Sequence, residues 1–125
     1  MIMGKKIVAV DDSTLVLRML NKVFDKKHDL HAFSDAKRAL DFLEKKTPDL
    51  LILDIDMPGV NGFDMLQMVK KMEHLKDMPV IFLTSNNDKS HVVKAVSSGA
   101  NDYMIKPIDE EILLNKVEGL LSGTV

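Results

Sequence analysis

Four positions in this 125-residue chain carry polar or charged side chains directly after a short apolar run. They are the pair Asp11-Asp12, Asp54, Thr84 and Lys106. Carboxylates bind hard cations and can attack phosphorus, a lysine supplies positive charge, and a threonine hydroxyl donates a hydrogen bond. If the apolar runs are parallel strands, their carboxyl ends meet at one edge of a sheet. The combination therefore predicts a site for a phosphate group and a cation.

The apolar runs have the pattern of strands in a sheet that is covered on both faces. Residues 7–10, 50–53 and 80–83 are unbroken apolar runs, which is typical of central parallel strands. Residues 30–33 and 102–105 mix polar with apolar side chains, which is typical of edge strands. We therefore expect strands 2 and 5 at the two edges.

Between the strands, apolar residues recur at spacings of three and four, the period of amphipathic helices. The residues that mark these helices are Leu15, Met19 and Val23; Ala36, Ala39 and Leu43; Phe63, Leu66 and Val69; Val92, Ala95 and Val96; and Leu113, Val117 and Leu120. Ser34 or Asp35 can cap the second helix, and Asp88 opens the fourth. The chain thus predicts an α/β fold of the (βα)5 type. With right-handed crossovers, its doubly wound parallel sheet has the flavodoxin-like strand order 2-1-3-4-5.

Composition fits a single domain over residues 1–125. The net charge of −2 gives no electrostatic reason to expect nucleic acid or an anionic membrane as a direct partner. The absence of cysteine excludes disulfides and thiolate metal sites. Residues 1–6 lack the apolar stretch of a signal peptide. We therefore expect a cytoplasmic protein.

Ligands of such a fold bind outside the carboxyl ends of the strands where the strand order reverses, here between strands 1 and 3. Asp11, Asp12 and Asp54 fall there, and three carboxylates repel one another unless a cation neutralises them. Oxygen ligands favour Mg²⁺, with Mn²⁺ as an alternative ion. Asp54 is best placed to attack phosphorus, while Lys106 and Thr84 are placed to stabilise charge on the transferred group.

Taken singly, each of these positions also has a structural explanation. Asp12, beside Ser13, could cap the first helix, and Asp54 could be a solvated loop acid. Thr84 could be a turn residue and Lys106 a surface lysine. Their joint placement at strand ends favours a site. The histidines, which lack metal-ligand spacing and are expected at the surface without a functional role, are His28, His31, His74 and His91.

With these residues the chain resembles the receiver domain of bacterial two-component response regulators, of the single-domain CheY-like kind. The motifs that carry the resemblance are residues 8–13, residues 53–59 with Asn61-Gly62, residues 83–85, and residues 99–103 with Lys106-Pro107. The resemblance covers nearly the whole chain. It implies that Asp54 accepts a phosphoryl group from a phosphohistidine on a sensor histidine kinase or a histidine phosphotransfer domain. Such a domain catalyses its own phosphorylation and dephosphorylation and is not a conventional turnover enzyme.

The resemblance also implies a metal site. Asp12, Asp54 and the backbone carbonyl of Asp56 would hold Mg²⁺, and Asp11 would act through a metal-bound water. Asp56 and Asn86 occupy positions that vary in the family and tune the loss of the phosphoryl group. We therefore expect Asp56 to influence the rate of dephosphorylation.

The resemblance implies a readout as well. Lys106 and Thr84 would contact the phosphoryl group, small Ser85 would leave room for it, and the Lys106-Pro107 peptide bond would be cis. Tyr103 matches the family's switch aromatic, which turns inward when the Thr84 hydroxyl moves. A downstream target protein would bind the face formed by the fourth helix, fifth strand and fifth helix. The domain would be a monomer or a phosphorylation-dependent dimer.

Three alternatives remain open from the sequence. Asp54-Ile55-Asp56 imitates the nucleophile and general acid of a haloacid-dehalogenase-like phosphatase, although that family places its nucleophile on the first strand. A flavodoxin-like mononucleotide binder needs a Ser/Thr/Gly-rich loop after strand 1, where this chain has Asp11-Asp12. The third alternative is a receiver domain excised from a larger response regulator or hybrid kinase.

Overall fold

Five strands alternate with five α-helices along the computed structural model, which describes residues 4–123. The strands are β1 (Lys6–Val10), β2 (Asp29–Phe33), β3 (Leu50–Asp54), β4 (Val80–Thr84) and β5 (Asp102–Ile105). The helices are α1 (Thr14–Phe24), α2 (Ala36–Lys45), α3 (Gly62–Lys70), α4 (Lys89–Ser97) and α5 (Glu110–Leu121), and a 3-10 turn spans Glu73–Leu75. The predicted absence of a signal peptide concerns in part residues 1–3, which lie outside the described range. No helix among the described residues combines the length and apolar character needed to cross a membrane.

The strands form one parallel sheet in the order β2-β1-β3-β4-β5. This order confirms the predicted doubly wound fold, with β2 and β5 at the edges. The register pairs Val10 with Leu53 and Asp54 with Leu83, so the carboxyl ends of β1, β3 and β4 are each offset by only one residue. The strand order reverses between β1 and β3, where the sequence predicts the ligand site.

The core lies on both faces of the sheet, because successive residues of a strand point to opposite sides. One layer joins Val8, Leu51 and Leu53 to α2 and α3. The other joins Ile7 and Ile52, among others, to α1 and α5. All positions of β3 and β4 are buried, which explains their unbroken apolar runs and leaves polar side chains only at the strand ends.

Two helix starts decide between alternatives that the sequence left open. The Ser13 hydroxyl accepts a hydrogen bond from the Val16 N–H at 3.3 Å, so Ser13 caps α1 and the capping role considered for Asp12 is wrong. Asp35, rather than Ser34, caps α2 by accepting from a backbone N–H in its first turn at 2.9 Å. Asp12 therefore lies directly before the N-cap residue of α1 and does not cap the helix itself.

Candidate functional site

Asp54 is held at the end of β3 by an unusually close approach of α3. A Cβ atom on Gly62, the first residue of α3, would lie 2.5 Å from the Asp54 carbonyl oxygen and 2.6 Å from the Cα of Ile55. The Gly62 N–H donates to the Ile55 carbonyl at 2.8 Å. The Asp56 N–H donates to Asp54 Oδ1 at 3.2 Å. The sequence places Gly62 only near the helix start, whereas the structure makes it part of the support for Asp54.

The structure brings the three predicted acidic residues together. Asp11, Asp12 and Asp54 offer carboxylate oxygens that all lie within 4.8 Å of one another. Asp11 and Asp54 are buried, and Asp12 is exposed. Asp11 Oδ1 accepts a hydrogen bond from the Ser13 N–H at 2.9 Å, which ties the carboxylate to the start of α1. The cluster thus has one solvent-facing side and two buried members.

Lys106 is the cation that faces this cluster. Its Nζ lies 2.9 Å from Asp11 Oδ2 and 3.5 Å from Asp54 Oδ1. Asp11 Oδ2 is buried and accepts no well-aligned hydrogen bond from any described residue, so its compensation is the ion pair with Lys106. Burial by itself favours the neutral amine, but the contacts with Asp11 and Asp54 raise the pKa of Lys106 above its ordinary value. The Lys106-Pro107 peptide bond is cis.

One lysine does not neutralise two buried carboxylates, and Asp54 shows the consequence. Burial, together with the neighbouring Asp11 charge, raises the pKa of Asp54 to about 7, against the opposing effect of Lys106. A cation in the cluster favours the ionised form of Asp54. The all-oxygen donor set and the poorly satisfied Asp11 oxygen fit a hard divalent ion such as Mg²⁺.

Thr84 ends β4 beside this cluster, and its hydroxyl has three partners. Thr84 Oγ1 donates to Asp56 Oδ2 at 2.9 Å and accepts from the Asn86 N–H at 3.0 Å. His91 Nε2 lies 3.1 Å from the same oxygen. Of the four histidines expected at the surface, His74 is exposed, whereas His28, His31 and His91 are partly buried and His91 lies against Thr84. No spacing in the sequence signals this contact, which joins the end of β4 to α4 across the loop between them.

The remaining predicted residues surround the site at different depths. Ser85 and Asn86 follow Thr84 in the exposed loop before α4. Tyr103 lies on β5, paired in register with Phe82, and is partly buried against the core layer that includes Ala95 of α4. Tyr103 therefore lies on the strand next to β4, against the core layer to which α4 contributes.

Comparison with known proteins identifies the family. The family model described as response regulator receiver domain matches residues 7–118. Protein PilH of Pseudomonas aeruginosa is 31% identical over 119 residues, which cover 94% of this chain and 98% of PilH. The two-component response regulator ARR10 of Arabidopsis thaliana is 37% identical over 115 residues, and the chain spans only 20% of its length.

Solved structures agree with these relatives. The beryllofluoride-activated receiver domain of DrrB, from Thermotoga maritima, has a TM-score of 0.87 and 28% identity, covering 96% of this chain and 99% of that one. The chemotaxis protein CheY4 of Vibrio cholerae has a TM-score of 0.86 and 26% identity, covering 94% and 98%. The chain therefore belongs to the response regulator receiver domain family of two-component signalling.

Proposed function

We propose that this domain is a phosphorylation-activated switch that accepts a phosphoryl group on Asp54. The observation that best supports this role is the position of the Asp54 carboxylate, buried at the end of β3 within the Asp11-Asp12 cluster and 3.5 Å from Lys106 Nζ. A carboxylate so placed is available as a nucleophile and has a cation ready for the charge that arrives with the phosphoryl group.

In the transfer step, an Asp54 carboxylate oxygen forms a bond to phosphorus and the bond from phosphorus to the donor's imidazole nitrogen breaks. The product is an acyl phosphate on Asp54, and the departing imidazole takes up a proton from water. Lys106 lies near enough to contact the transferred group. Asp11, Asp12, Asp54 and the carbonyl of Asp56 would hold Mg²⁺, which when bound supplies positive charge against the carboxylates and phosphoryl oxygens.

The same site supports a readout. Once a phosphoryl group is present, the Thr84 hydroxyl can donate to a phosphoryl oxygen in place of Asp56 Oδ2, and Ser85 leaves space beside it. Thr84 is continuous with the loop to α4, and Tyr103 lies on the neighbouring strand β5, against the core layer to which α4 contributes. A local change at the hydroxyl is thereby linked to the α4-β5-α5 face.

The α4-β5-α5 face has features of an output surface. Large apolar side chains are exposed on all three elements, namely Val93, Val96, Ile105 and Ile112. A groove of about 500 Å³ runs between β5 and α5 beside the Lys116–Asp102 ion pair. We propose that a downstream target protein binds here, and that the phosphoryl donor is a sensor histidine kinase or histidine phosphotransfer domain. The solved DrrB receiver domain is a beryllofluoride-activated form, which supports activation of this domain by a phosphoryl-like group.

Incubation with acetyl phosphate and Mg²⁺, followed by intact mass measurement, tests the phosphoryl acceptor. Wild type gains one labile phosphoryl group, and Asp54→Asn gains none. Asp49→Asn is a matched control at the other end of β3, because asparagine can still accept the hydrogen bond from the Lys6 N–H. The proposal fails if wild type gains no Mg²⁺-dependent adduct or if Asp54→Asn gains the same adduct. Steady release of phosphate from many phosphomonoesters would instead favour the phosphatase alternative.

A further inference from the structure

The Thr84 hydroxyl uses all of its hydrogen-bonding capacity. A hydroxyl has one hydrogen to donate and two lone pairs to accept with. The Thr84 hydroxyl donates its hydrogen to Asp56 Oδ2 at 2.9 Å. The Asn86 N–H occupies one lone pair. The other faces His91 Nε2 at 3.1 Å, a contact that is a hydrogen bond to Thr84 in the tautomer that carries the hydrogen on Nε2.

The His91 ring also has an aromatic contact. It packs edge-to-face with the Phe63 ring, with ring centres 5.6 Å apart and an interplanar angle of 65°. Phe63 in turn packs on the buried ring of Phe82, with ring centres 5.4 Å apart. Lys94 Nζ lies 4.4 Å from the centre of the Phe63 ring. His91 is therefore a fixed donor on α4 that does not readily follow Thr84 if the hydroxyl moves.

A second connection joins the hydroxyl to the start of α4. The Asn86 N–H donates to Thr84 Oγ1, and Asn86 Oδ1 accepts from the Asp88 N–H at 2.9 Å. Asp88 is the N-cap residue of α4. The hydroxyl is thus bound to the helix through its loop and through His91, and any reorientation of Thr84 disturbs both connections.

We propose that His91 is a positioning residue that holds the Thr84 hydroxyl in its unphosphorylated orientation, directed at Asp56. This role rests on the proposed function, in which the same hydroxyl turns to a phosphoryl group on Asp54. Because the hydroxyl already has three partners, it can turn to a phosphoryl oxygen only by giving up existing hydrogen bonds. The bond from His91 is lost in this exchange because Phe63 fixes the His91 ring. The net contribution of one hydrogen bond corresponds to about a fivefold change in the switching equilibrium.

Two variants of His91 separate the donor from the ring. His91→Phe keeps a ring against Phe63 but has no donor, whereas His91→Gln loses the ring and places an amide N–H the same number of bonds from Cα as Nε2. His31→Phe is the control, since His31 also packs on a phenylalanine, Phe42 at 4.9 Å, but lies on β2. The probe is beryllofluoride with Mg²⁺, and the readout is its dissociation constant.

We expect His91→Phe to bind beryllofluoride about fivefold more tightly than wild type, because the unphosphorylated orientation loses a hydrogen bond. His91→Gln keeps a donor but not the ring that Phe63 supports, so its dissociation constant should lie between those of wild type and His91→Phe. His31→Phe should bind like wild type. Two results would overturn the role of His91 while leaving the phosphoryl site intact. One is an equal change in the dissociation constant of His91→Phe and His91→Gln, and the other is an unchanged dissociation constant in His91→Phe. Failure of wild type to bind the probe would overturn the proposed function and this role with it.

Nitrogen-15 correlation spectra of the metal-free protein, recorded in alkaline buffer, test the donor directly. The proposed bond requires the imidazole hydrogen on Nε2 of His91, with a chemical shift that changes in Thr84→Val, which keeps the shape but has no hydroxyl. A hydrogen on Nδ1 instead, or a shift that is unchanged in Thr84→Val, would refute the contact. This readout does not depend on phosphorylation or on beryllofluoride.

Discussion

Replacing Gly62 with alanine tests whether the close approach of α3 holds Asp54 in position. The added Cβ would lie 2.5 Å from the Asp54 carbonyl oxygen and 2.6 Å from the Cα of Ile55. Carbon atoms in favourable contact are about 3.5–4.0 Å apart. The obstructing atoms belong to the backbone and cannot rotate away, so α3 or the end of β3 must shift by about 1 Å.

Such a shift has two measurable consequences. Overpacking costs about 1–3 kcal/mol, and the rigid backbone places this substitution at the upper end. For a domain of this size, that lowers the melting temperature by about 10 °C. A displacement of about 1 Å at a reacting group also slows chemistry by about 10²-fold. We therefore expect Gly62→Ala to be less stable in thermal unfolding and much slower to form the acetyl phosphate adduct.

Gly99→Ala is the matched control, because it introduces strain without a clash. Gly99 has a φ of +102°, and a Cβ there would meet nothing within 4 Å. Gly99 lies between α4 and the start of β5, at the end of the sheet away from Asp54. This variant should lose about 1–2 kcal/mol of stability and phosphorylate at the wild-type rate. If Gly62→Ala matches Gly99→Ala in both measurements, the close approach does not position Asp54.

Three further predictions concern charges. Lys106→Met leaves the buried carboxylates of Asp11 and Asp54 facing each other and should cost about 3 kcal/mol in denaturant unfolding of the metal-free protein; an unchanged midpoint would contradict the pairing. Asp56→Asn should lengthen the acyl-phosphate lifetime several-fold, because the carboxylate that Thr84 releases is an acceptor for a proton of the attacking water; an unchanged half-life would count against this. Burial lowers the pKa of His28 below 6.5, so folding favours the neutral ring. The contribution of His28 to the free energy of unfolding is therefore fully present above about pH 6.5 and is lost as the pH falls through the folded-state pKa. The melting temperature of His28→Gln should therefore fall less than that of wild type between about pH 7.5 and about pH 5.5, and equal falls would contradict the shift.

The fold and the main site could be predicted because both depend on local sequence patterns. Buried strands are unbroken apolar runs, and the first polar residue after each run lies at the sheet edge whatever the details of packing. The position of Asp54 at the end of β3 follows from this rule alone, and so does that of Thr84 at the end of β4.

The contacts that could not be predicted depend on how elements pack together. His91 contacts both Thr84 of β4 and Phe63 of α3, and no spacing within α4 encodes either contact. The requirement for glycine at position 62 likewise follows from the distance between α3 and β3. Either Asp12 or Ser13 has a side chain that can cap α1, and the backbone geometry makes Ser13 the N-cap residue.

Under the proposed function, the saturated hydroxyl of Thr84 couples phosphorylation to target binding. A phosphoryl group on Asp54 gains the Thr84 hydrogen only if Asp56 loses it, and this exchange disturbs the connections from Thr84 to α4 through Asn86 and His91. A target that binds α4 more tightly in the exchanged arrangement must, by linkage, favour the phosphorylated state by the same free energy. The fixed ring of His91 sets part of that energy. Weakening the bond from His91 to Thr84 should therefore favour the phosphorylated state. It should also reduce the further shift toward that state that target binding produces.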